Sequence, residues 1–137
     1  RRLVRVFKEI ILAAADEDDD AFERDDKLRP LPNLGSRVTV YHNHRDRALL
    51  VSDKTKANPD RLGSEGPRML DLLPKKVVIV DCSRVAPGGG DRRIEHSYYI
   101  NCAPVTADIV ATLTGEPTDT IGGRETIRPE RAYRLRV

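Results

Sequence analysis

A chain of 137 residues fits one domain or part of one, and 39% apolar residues with no Trp make a lean core. Lys and Arg total 24 against 22 Asp and Glu, so no dominant charge steers the whole surface toward nucleic acid or anionic lipid. No run approaches 18 apolar residues, so no membrane span is expected, and the absence of a signal-peptide pattern points to a cytoplasmic protein.

In chain order, the first element is the apolar run Glu9 to Ala15, stopping at Asp16. Unbroken apolarity of this kind marks a strand covered on both faces in a parallel sheet. Eight acids opposed only by Arg24 fill the stretch from Asp16 to Asp26. A calcium loop is excluded there, because no Gly falls mid-loop and no Glu closes it. Asp18 to Lys27 is expected to form a short polar helix with acids at its N-terminal turn, broken by the Pro30–Gly35 stretch. Arg37 to Tyr41 is the second strand, ending at His42, Asn43 and His44. A helix is expected over 46–56, with Leu49, Leu50 and Val51 on its apolar side, and another over 66–73. Gly63-Ser64-Glu65-Gly66 reads as a turn. Lys76 to Val80 is the third strand and stops at Asp81. A Gly-rich loop follows, carrying His96 toward a helix over 104–114. Pro104 suits the first turn of that helix, Val105, Ile109, Val110 and Leu113 form its stripe, and Gly115 stops it.

Strands alternating with helices predict a three-layer αβα architecture with about three parallel strands in sequential order and one exposed edge. Residues 1–115 form the domain in this reading, and the Arg-rich tail 116–137 is loop or disordered. The exposed edge invites pairing between copies, so a homo-oligomer is a candidate state. Cys82 and Cys102 fit neither a disulfide framework nor a zinc spacing and are expected to be buried thiols in a reducing compartment.

Open parallel sheets bind ligands beyond the carboxyl ends of their strands. Those ends offer Asp16, then His42, His44 and Asp46, then Asp81 and the loop with His96. Tyr41-His42-Asn43-His44-Arg45-Asp46-Arg47-Ala48-Leu49 resembles the acid turn of the α/β-hydrolase fold, and Ile94-Glu95-His96-Ser97-Tyr98-Tyr99 resembles its histidine loop. With the strand Ile10 to Asp16, these strings resemble the esterase/lipase-like family called domain of unknown function 900, over about residues 8 to 114. Acid before histidine is the chain order of that fold. The resemblance implies an α/β-hydrolase in which His96 is the general base and Asp46 its orienting acid, acting on an ester or other acyl substrate without a cofactor. Asp16, ending the previous strand, is the rival acid. Tyr98, Tyr99 and Asn101 either support the histidine loop or simply pack.

The nucleophile elbow of that fold reads G-x-S-x-G, and no such string occurs in these residues. The chain therefore reads as the C-terminal part of a serine hydrolase, begun partway through a domain and inactive alone. Two other classes compete with this reading. His42, His44 and Asp46 form H-x-H-x-D, which resembles part of the metallo-β-lactamase metal loop and implies a metal-dependent hydrolase, but Arg47 stands where that motif has a further histidine. Alternatively, the five arginines after residue 123 mark a non-catalytic fragment that docks a partner, although no nucleic-acid motif accompanies them.

Overall fold

The computed structural model describes residues 4–46, 49, 60–86 and 96–137. Five strands form one sheet in the order β1-β2-β3-β5-β4. They are β1 (Phe7–Ala13), β2 (Gly35–His42), β3 (Val77–Asp81), β4 (Arg124–Arg128) and β5 (Ala132–Leu135). The first three run parallel, in a register that sets Ile10 against Val38 and Val38 against Val77. The helices that lie wholly among the described residues are α1 (Leu62–Glu65), α2 (Tyr98–Asn101) and α3 (Ala103–Leu113).

The period-two alternation of strand side chains divides the core between the two faces. Tyr41, Val80, Cys82 and Leu135 pack with Tyr98, Cys102 and Val105 on one face. Val38, Val40 and Val77 pack with Phe22, Leu62 and Leu73 on the other. Each such side chain fully removed from water contributes about 1.5–3 kcal/mol, so the apolar strands secure the sheet in the absence of Trp. Both cysteines are buried free thiols.

Several expectations are corrected. The stretch 116–137, expected as loop or disordered, supplies β4 and β5, so the sheet has five strands rather than about three. β5 continues the parallel sheet beside β3, and β4 returns antiparallel to it. The uncovered parallel edge is therefore that of β1, where Val4, Val6 and Phe7 are exposed. Only a 3₁₀ turn, Ala21–Glu23, forms in the acidic stretch. Its acids serve tertiary ion pairs instead: Asp18 with Arg61 and Lys27, and Asp20 and Glu23 with Arg68. The helix expected over 66–73 is a 3₁₀ turn, Leu70–Leu72, while the glycine string before it is helical as α1. Of the helix expected over 46–56, only Asp46 and Leu49 are among the described residues, and the Gly-rich run 87–90 lies outside them.

Helix α3 forms where the sequence placed it, but turned about its axis. Its buried residues are Val105, Asp108 and Thr112, whereas Val110 and Leu113 are more than half exposed. A polar pair faces inward because it has partners there. Tyr41 donates its hydroxyl proton to Asp108 Oδ1 at 2.6 Å, and Arg124 clasps the same carboxylate from the β4 side. Arg37 adds a second tie. Its guanidinium is bidentate on Glu9 of β1 and donates to the carbonyls of Thr112 and Glu116, joining two strands to the end of α3.

Candidate active site

The parallel strands β1, β2 and β3 all end at one rim, and the chain leaving β2 makes the turn that carries Asp46. Asn43 is fully buried there and its N–H donates to Gly63 O at 2.9 Å. Asn43 then accepts from Asp46 N–H through its carbonyl and from Arg45 N–H through its side-chain oxygen, each at 3.0 Å. Gly63 has to be glycine for this arrangement, since a Cβ would lie 2.5 Å from Ala15 N and 2.6 Å from Ala14 C. From the β3 side, Ser83 Oγ accepts the His44 N–H at 3.1 Å. The acid turn is thus fixed by backbone and side-chain hydrogen bonds before any catalytic role is considered.

The Asp46 side chain is fully buried. Its Oδ1 accepts the Leu49 N–H at 3.2 Å in the manner of a helix cap, and its Oδ2 accepts from His96 Nδ1 at 2.8 Å. A buried carboxylate is costly unless hydrogen-bonded, and both of its oxygens are engaged here. The imidazole remains 38% exposed. With Nδ1 donating to Asp46, Nε2 is the nitrogen left to accept a proton from a reacting group. Geometrically this is an imidazole held in one orientation by a buried carboxylate.

The rival acid stands elsewhere. Asp16 is half exposed and pairs with Arg61 Nε at 3.6 Å, in the ion-pair group beyond β1. His42, His44 and Asp46 do not converge as a metal set either. His42 donates from Nδ1 to Ser64 O at 3.1 Å, Asp46 is committed to His96, and no three His, Cys, Asp or Glu among the described residues could hold a metal ion. Alternation puts His42 on the opposite face of β2 from Tyr41, the face covered by α1 rather than by α2 and α3.

Four of the five arginines of the tail bind other parts of the fold rather than standing as a row. Arg124 pairs with Asp108, Arg128 with Asp71 and Arg134 with Asp81, and Arg131 donates to the carbonyls of Leu70 and Leu73. The sequence reading missed these partners because every one of them lies far away along the chain. Cys82, at the end of β3, is no substitute nucleophile, since burial pushes its thiol far up and away from thiolate.

His42 supplies a pH-dependent element at the end of β2. Burial holds its imidazole below the ordinary histidine value of 6.5, against the upward pull of Asp81 and Glu65 and with the help of neighbouring His44. The folded state therefore takes up a proton later than the unfolded chain as pH falls. Stability present above about 6.5 is lost as pH falls toward the depressed folded value. Thermal melts between pH 7.5 and 5.5 should show a decline in Tm that His42→Gln flattens; equal declines in both proteins would refute this role.

Among the described residues, no helix is long and apolar enough to cross a membrane. No curated protein and no solved structure matches the chain. A family model described as an alpha/beta hydrolase of unknown function, DUF900, matches residues 1–115. The mostly parallel five-stranded sheet with flanking helices agrees with that fold, and the chain belongs to this family of alpha/beta hydrolases.

Proposed function

We propose that this chain supplies the acid and the base of a serine hydrolase, esterase- or lipase-like, in which Asp46 orients His96. The observation that carries the reading is the 2.8 Å bond from His96 Nδ1 to a fully buried Asp46 carboxylate, at the carboxyl ends of parallel strands. In the reaction, His96 Nε2 takes the proton of a serine hydroxyl as its Oγ attacks the acyl carbonyl. The same proton passes to the departing alcohol, leaving an acyl-serine. Water then repeats the sequence, giving up one proton to Nε2 while its oxygen displaces the serine, which recovers that proton.

The serine is not supplied by a G-x-S-x-G string in these residues. Its natural entry point is the outer edge of β1, a parallel edge strand with apolar Val4, Val6 and Phe7 uncovered. A strand added there would end at the rim that holds the dyad. This chain alone is expected to be inactive and to take no label from a serine-directed fluorophosphonate. A longer polypeptide with an in-frame elbow serine is expected to be labelled, and His96→Ala is expected to abolish that labelling. Labelling at an unchanged rate in the His96→Ala variant would refute the reading. Two copies pairing through the same edge is the competing occupancy, which sedimentation of the chain as a strict monomer would exclude.

A further inference from the structure

We infer that Tyr98 is the positioning residue for His96, its hydroxyl fastening the histidine loop to the ends of the two strands beside it. Tyr98 is fully buried and stands two residues after His96, at the start of α2. Its hydroxyl donates to Tyr41 O at 2.9 Å and accepts from Ala14 N–H at 3.3 Å. One oxygen thus joins the last turn of β2, the residue after β1 and the histidine loop.

Ala14 explains why the bond is needed. Its φ of 50° is left-handed, uncommon for a residue with a Cβ, and it turns the chain out of β1. Its N–H then needs an acceptor beyond the strand ladder, and buried amides left without one are rare. The phenol is that acceptor. Tyr41 closes the other half of the arrangement, because five residues of chain lead from it to Asp46. A ring of connections results: Tyr98 to Tyr41, chain to Asp46, hydrogen bond to His96, chain back to Tyr98. Fixing two points of that ring limits how far the imidazole can swing from the carboxylate. A side chain that only filled space would not need its hydroxyl.

The catalytic role of His96 is taken from the reading above, whereas the Nδ1 proton exists whether or not the chain hydrolyses anything. Tyr98→Phe keeps the ring and deletes the hydroxyl. By NMR of the chain with labelled imidazole, solvent exchange of the His96 Nδ1–H and of the Ala14 amide is expected to quicken about tenfold or more. The amides of Val78 and Val80 should keep their protection, which a general loss of stability would not allow. Unchanged exchange of the Nδ1 proton in Tyr98→Phe overturns the assignment. If that variant fails to fold, the wild-type chain in mild denaturant decides: the Ala14 amide and the His96 proton should open together, and independent opening overturns the assignment equally. Loss of fluorophosphonate labelling in the longer polypeptide would bear on the hydrolase reading alone and leave this coupling intact.

Discussion

Replacing Arg124 by Met is expected to cost the fold about 3–5 kcal/mol, the range for stripping one partner from a buried ion pair. Against a total stability of about 5–15 kcal/mol for a domain, that removes between about a fifth and the whole of it. Both side chains are almost wholly excluded from water, and the pair is bidentate at 2.7 Å for each nitrogen. The guanidinium also donates to Thr112 Oγ1 and Thr118 O, and its Cζ lies 5.0 Å from the centre of the Tyr133 ring. Met replaces the apolar stem but leaves Asp108 with only hydroxyl partners for a full charge. The double variant Arg124→Met/Asp108→Asn removes the orphaned charge and keeps an acceptor for the Tyr41 hydroxyl, and it should recover most of the loss. Urea denaturation of the parent and both variants measures this. A single-variant cost below about 1 kcal/mol would mean that β4 is not anchored through this pair.

That pair also shows where sequence reasoning ran short. Strands β1 and β3 are legible because unbroken apolar runs have no stable place except a sheet covered on both faces, whereas β2, which alternates, carries the weaker signal. That Asp46 and His96 meet is legible through the resemblance of their strings to the acid turn and histidine loop of the fold, both following strand ends where such a sheet can hold a ligand. The β4–β5 hairpin is obscured by its arginines, although Tyr133 and Leu135 alternate inward around Arg134 as a half-buried strand should. Charge density ordinarily marks solvent, and only the distant carboxylates of Asp108 and Asp81 reverse that meaning. Helix α3 makes the same point from the other side. Its apolar stripe predicts Val110 and Leu113 inward, yet the buried ion pair outweighs that pattern and turns Asp108 and Thr112 to the sheet. The sequence offers Tyr98 as a candidate support for the histidine loop, but not its bond to Ala14, which depends on a left-handed backbone that nothing in the alanine run announces.

For the chemistry, the largest effect belongs to Asp46→Asn. In a hydrolase completed by its serine, this change is expected to lower kcat about 10⁴-fold, the scale associated with losing the orienting carboxylate of such a triad. The expected loss comes from the tautomer rather than from the fold. An asparagine oxygen can still accept the Leu49 N–H, so the turn keeps its cap. The amide nitrogen then faces His96 with a proton of its own, and Nδ1 has to become an acceptor. The ring proton moves to Nε2, the position that must be bare to receive the serine proton. Asp46→Ala would lose the cap as well, at about 0.5–2 kcal/mol. Comparing the two variants therefore separates catalytic from structural loss: melting temperature should fall clearly only for alanine, while activity should collapse for both. Asp16 supplies the decisive contrast. It is half exposed beside Arg61, so Asp16→Asn should leave kcat within a few-fold of the parent. Should Asp16→Asn be the variant that disables the enzyme while Asp46→Asn retains its rate, the acid would sit on β1, and the bond seen between Asp46 and His96 would be a structural clasp.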